Sequence, residues 1–151
     1  MKKVLSLLLV LSLLLSLNFL EVKAEDVVSQ DVPISEIMTE NALIGYSENN
    51  TWGVYYANGL SIINDAGGGK IGWGGITNAA VNCKVSVNAI VERLVSGSWV
   101  RVTSASNTRE NAVTVGVSKS TLVASGYSYR VRCYHYAASD TSSSCTSALR
   151  M

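Results

Sequence analysis

Val85-Ser86-Val87-Asn88-Ala89-Ile90-Val91-Glu92-Arg93-Leu94-Val95, then Ser96-Gly97, then Ser98-Trp99-Val100-Arg101-Val102, is the stretch that decides the fold class. Val85, Val87, Ala89 and Val91 alternate with polar residues, the period of a strand with one buried face. Ser96-Gly97 is a two-residue turn signal between two such runs. A loop of that length sets Glu92 opposite Arg101 and Leu94 opposite Trp99. Opposite charges and apolar partners then coincide, which supports the register.

The same pattern extends in both directions. Leu60 and Ile62 alternate, Asn64 to Gly69 reads as a turn, and Ile71, Trp73 and Gly75 alternate again. The glycines beside Trp73 suit a bulge or a close backbone approach. Val113, Val115 and Val117 predict a further strand; Tyr127, Tyr129, Val131 and Cys133 predict another, and the stretch from Cys145 to Leu149 the last. Short strands separated by turn residues, with no helical period after residue 40, predict an all-β domain over residues 58–151. The expected architecture is a small immunoglobulin-like two-sheet sandwich, with a small Greek-key barrel as the alternative.

The N-terminus reads differently. Lys2 and Lys3 precede an apolar run over residues 4–17, and Val22 and Ala24 supply small residues at the −3 and −1 positions of a cleavage site. Residues 1–24 are therefore expected to be a signal peptide, with Glu25 starting an exported, freely released chain. The apolar run is short for a bilayer span of about 20 residues, so no stable membrane insertion is expected. Residues 25–57 carry Glu25, Asp26, Asp31, Glu36, Glu40 and Glu48 with no Lys or Arg, whereas residues 58–151 hold nine basic against four acidic side chains. This acidic segment has no sustained period and is expected to be a largely unstructured leader. It is either a solubilising arm or a pro-segment lying on the basic domain. One short helix near Pro33 and docking of Trp52, Tyr55 and Tyr56 on the first strand are expected within it. The basic residues are too dispersed for a nucleic-acid interface.

Three cysteines follow the expected signal peptide, and an exported chain can oxidise them. If the last hairpin centres on Ser139, Cys133 falls opposite Cys145, a cross-strand disulfide favoured by its short loop. A different register joins Cys83 to Cys133. Either leaves an odd thiol, so the expected state is a monomer or a covalent dimer through that cysteine. His135, the only histidine, cannot build a zinc site with these spacings. A Ser-His-Asp set drawn from His135, Asp140 and any of many serines carries no information. Gly67-Gly68-Gly69-Lys70 lacks the preceding glycine and the following hydroxyl of a phosphate loop. No catalytic residue, cofactor or metal is expected.

The candidate binding residues are Arg130, Arg132, Tyr134 and Tyr136. Alternation sets them on the face opposite Tyr129, Val131 and Cys133, and Arg with Tyr is a common pairing at binding surfaces. Trp99, beside Leu94, is the other candidate. The expected ligand is extracellular: a glycan, a wall polymer or a protein.

From Ile63 onward the chain resembles a loose group of short secreted proteins from Gram-positive bacteria, many of them clostridial. The resembling pieces are Ala66-Gly67-Gly68-Gly69-Lys70-Ile71, Arg93-Leu94 leading to Ser96-Gly97-Ser98-Trp99, and Gly126-Tyr127-Ser128-Tyr129-Arg130-Val131-Arg132 with Tyr134-His135. The resemblance implies a signal peptide, a variable leader and a β-sandwich, and it brings no catalytic residue with it. The sequence thus predicts a secreted, non-enzymatic binding module; self-associating structural protein and secreted antagonist are the alternatives.

Overall fold

A computed structural model describes residues 27–47 and 53–151. The expected signal peptide lies outside the described residues, as does Trp52. The described chain is all-β apart from one short helix. In order it forms β1 (Ser29–Asp31), α1 (Ile34–Ile37), β2 (Leu43–Tyr46), β3 (Tyr56–Gly67), β4 (Lys70–Val95), β5 (Ser98–Leu122), β6 (Ser128–Ala137), β7 (Asp140–Cys145) and β8 (Leu149–Arg150). Every pairing between these strands is antiparallel.

Two long strands organise the molecule. β4 runs for 26 residues and β5 for 25, far beyond an ordinary strand of about 5–6 residues. The pairing between them shifts register around Asn78, Cys83 and Val85. Such irregularities bend a ladder and increase its twist. The first part of β4 pairs with β3, and β3 with β2, while β1 extends the far end of β5. The second part of β4 pairs with β6, which carries β7 and β8. The result is one continuous sheet with two arms, hinged where β4 and β5 bend. The all-β class expected from the sequence is present, as one continuous antiparallel sheet and not as two separate ones.

The core lies between the arms. Ile63, Ile71, Trp73, Val85, Val87, Val91, Tyr129, Val131 and Cys133 are buried there. Cys133 Sγ sits 3.5 Å from the Gly74 carbonyl across the arms. Trp73 Nε1 donates to Thr121 Oγ1 at 2.7 Å, and Tyr129 donates its hydroxyl to the Ala124 carbonyl at 2.8 Å. Both large rings thereby keep their polar ends paired inside an apolar interior.

The hairpin read from sequence has the expected register, with Glu92 opposite Arg101 and Leu94 opposite Trp99. Ser96 and Gly97 both have positive φ, 48° and 82°, as the favoured two-residue hairpin turn requires. The Gly67–Gly69 turn is present too, but β3 runs on through Asn64, which is buried.

The expected unstructured leader is corrected over its described part. β1 pairs with β5, β2 pairs with β3, and Ile37 is 1% exposed. The reason is local. Gly72 and Gly74 leave the outer face of the first arm bare, and Ile37 fills the space. A Cβ on Gly72 would meet Ile37 at 2.8 Å, and one on Gly74 would meet it at 3.0 Å. Asn64 Nδ2 then holds the helix through the Glu36 carbonyl at 3.2 Å. Asp140 Oδ2 accepts from the backbone N–H groups of Tyr55 and Tyr56, at 2.7 and 3.0 Å, fixing the entry to β3.

The expected Cys133–Cys145 bridge is also corrected. The last hairpin turns at Ala138-Ser139, so Ser144 lies opposite Cys133, and Cys145 lies opposite Arg132. A slip of one residue moves a side chain to the other face. Cys83 lies at the bend opposite Ala112, away from β6, and all three cysteines are free thiols.

Candidate functional site

β6 alternates as its sequence demands. Tyr129, Val131, Cys133, His135 and Ala137 are buried, whereas Arg130, Arg132, Tyr134 and Tyr136 occupy the opposite, outer face. Pairing extends that face across three neighbours. Arg130 lies opposite Glu92, Arg132 opposite Ile90, Tyr134 opposite Asn88 and Tyr136 opposite Ser86 on β4. On the other side Tyr134 meets Ser143 and Tyr136 meets Thr141 of β7. Beyond β4, Glu92 faces Arg101 and Leu94 faces Trp99 of β5. All five residues singled out from the sequence therefore share one surface.

They do not behave alike. Glu92 binds two arginines at once: its Oε2 accepts from Arg130 Nε at 2.6 Å and its Oε1 from Arg132 Nε at 3.4 Å. The Arg130 guanidinium also lies 4.1 Å from the centre of the Trp99 ring. Stacking and charge pairing together hold Arg130 flat against the sheet. Trp99 is consequently half-buried beneath an arginine rather than an open apolar patch. Tyr134 and Tyr136, 39% and 40% exposed, remain the accessible rings. The Arg101 side chain is exposed and donates from Nη2 to Ser104 Oγ. Glu92, which anchors this arrangement, is legible from sequence only as the partner of Arg101.

Inside, His135 completes a buried polar chain linking both arms. Its Nδ1 is 2.8 Å from Thr77 Oγ1, and its Nε2 is 2.8 Å from Ser144 Oγ. Thr77 donates its single hydroxyl proton to the Ser86 carbonyl at 3.0 Å. Thr77 can then only accept from His135, which places the proton on Nδ1 and leaves Nε2 to accept from Ser144. Gly59 makes room for the ring, since a Cβ there would lie 2.6 Å from it. Burial lowers the His135 pKa from 6.5 to about 4, so the ring is neutral at pH 7. Asp140, engaged with Tyr55 and Tyr56, is not the group that orients His135. A Ser144–His135 pair exists, but Ser144 is buried and its histidine is oriented by a threonine.

Burial pushes the Cys133 thiol far above its usual range, and proximity to Cys145 adds to the shift. It is a packing group in this fold. Two surface depressions, of about 370 and 460 Å³, flank Asp31 and Val32. One is lined by Glu36, Lys70 and Ser120, the other by Ser106, Asn107 and Lys119, and neither touches the β6 strip. Among the described residues, no group of three His, Cys, Asp or Glu side chains could hold a metal ion, and no helix is long and apolar enough to cross a membrane.

No family model, curated protein or solved structure matches this chain.

Proposed function

We propose that this protein is a secreted, non-enzymatic binding module whose ligand lies on the outer face of the second arm. The carrying observation is that Arg130, Arg132, Tyr134 and Tyr136 occupy one continuous face with Trp99 and Arg101, backed by the buried side of β6. A rigid strand that presents planar side chains at fixed spacing loses little conformational entropy on binding. The signal-peptide pattern of residues 1–24 supports action outside the cytoplasm. The resemblance to short secreted proteins of Gram-positive bacteria supports the same setting, and the Arg130–Tyr136 strip supports a glycan, wall polymer or protein as ligand. The intact mass of the natural protein, fractionated between medium and cell wall, tests this reading. A species beginning at Glu25 and held on the wall is expected. An unprocessed chain confined to the cytoplasm overturns the proposal.

A second reading, self-association, has one observation in its favour. Among the described residues, the first part of β5 pairs with β4 on one side and with no strand on the other. An open edge is a template for a second copy. Sedimentation as a strict monomer, with and without reductant, removes this reading.

A further inference from the structure

We infer that the ligand of this face is a polysaccharide bearing carboxylate groups, a step that rests on the binding reading above. Three guanidiniums, Arg101, Arg130 and Arg132, share the surface with one carboxylate, Glu92. Both oxygens of that carboxylate are already engaged, one by Arg130 and the other by Arg132. Arg101, opposite Glu92 in the ladder, has the Ser104 hydroxyl as its partner and, among the described residues, no ion-paired carboxylate. The surface thus keeps a positive excess that its own acid does not neutralise, and planar guanidiniums match carboxylates in geometry. Among the described residues, two of the acidic side chains expected to cover a basic domain lie elsewhere. Asp31 is paired with Lys119 at 2.6 Å, and Glu36 belongs to the helix on the first arm.

The remainder of the face favours a sugar polymer over a protein. The fully buried centre of a protein interface is more apolar than the surrounding surface and poor in charged residues. Here Tyr134 is flanked by Asn88 and Ser143, and Tyr136 by Ser86 and Thr141. Half-exposed rings between hydroxyl and amide groups offer apolar faces to the C–H side of a sugar and polar edges to its hydroxyls. The arginine end then takes the acid groups of a chain laid along β6. Electrostatic attraction of this kind is screened over about 10 Å at 0.1 M salt.

Binding of residues 25–151 to immobilised polygalacturonate and hyaluronate, beside their methyl esters, neutral dextran and poly-glutamate, tests the inference. Retention on the acidic polysaccharides is expected, with loss on esterification and on raising salt. Arg101→Gln and Arg132→Gln should each weaken it about tenfold, the equivalent of one charged hydrogen bond. Unfolding midpoints of both variants should match the parent, which separates lost contact from lost fold. Equal binding to acid and ester forms, weakened by Tyr134→Ala with Tyr136→Ala, would keep the face as the site and overturn its preference for anions. Stronger retention on poly-glutamate would assign the face to an acidic protein and overturn it too. Binding to none of these polymers also overturns the inference, whereas polysaccharide binding unaffected by every substitution on the face would sink the underlying reading.

Discussion

Acid should weaken this fold through one residue. His135 is fully buried, bonded to Thr77 and Ser144, and neutral above about pH 4. In the unfolded chain it titrates near 6.5. Between those values the unfolded state takes up a proton that the folded state refuses, so stability falls as pH falls. A tenfold change in proton affinity is worth about 1.4 kcal/mol, and the interval from 6.5 to about 4 amounts to about 3 kcal/mol. The loss begins below about pH 6.5 and is complete near pH 4, beneath which the folded ring protonates and the contribution is flat. The groups packed around the ring explain why nothing rescues the charge. Thr77 and Ser144 are neutral, the Tyr56 ring lies 6.2 Å away, and Asp140 is held by Tyr55 and Tyr56. Urea unfolding of the parent and of His135→Gln at pH 7, 6, 5 and 4 isolates the effect from that of the carboxylates. With an m-value of about 2 kcal/mol/M, the parent midpoint should fall by roughly 1.5 M more than the variant's. Parallel midpoints, or a folded-state ring resonance titrating near 6.5, would show that His135 is not held neutral by burial.

Other substitutions probe the remaining pieces. Ile37→Ala should cost about 2–4 kcal/mol, read as a fall in the unfolding midpoint, because it empties the space over Gly72 and Gly74. By the same logic residues 58–151 alone should unfold far more easily than residues 25–151, losing β1, β2 and the buried Ile37; equal melting would contradict this. Gly59→Ala forces a Cβ against the His135 ring and should destabilise the protein by at least about 1–3 kcal/mol in thermal unfolding. In the folded protein Cys133 should resist alkylation, and after denaturation without reductant all three cysteines should be modified, as intact mass would show.

How legible these features are in the sequence depends on how local their causes are. The hairpin around Ser96-Gly97 is legible because a glycine-containing two-residue turn fixes both loop length and register. The hairpin at Ala138-Ser139 has no glycine, so its pairing reads one residue out of register and Cys145 changes face. The face of Arg130, Arg132, Tyr134 and Tyr136 is legible because alternation alone assigns it. Trp99 beneath Arg130 and the two-armed grip of Glu92 are not, since β6 and β4 are joined only by tertiary pairing. The length of β4 is hidden too. Alternation lapses from Ala79 to Lys84, where the strand bends, and a bend without Gly or Pro reads as a boundary. Ile37 is a single apolar residue in a four-residue helix, and its receptor is two missing side chains far along the chain.

The outer face of β6 is the proposed binding surface. Its most direct test is binding of residues 25–151 to purified cell wall and glycans, with and without the paired substitution Arg132→Ala and Tyr134→Ala. Both side chains point away from the core, so the variant should keep the parent's unfolding midpoint. Binding should fall by at least about tenfold. Undiminished binding by the folded double variant would contradict this and remove the strip as the site.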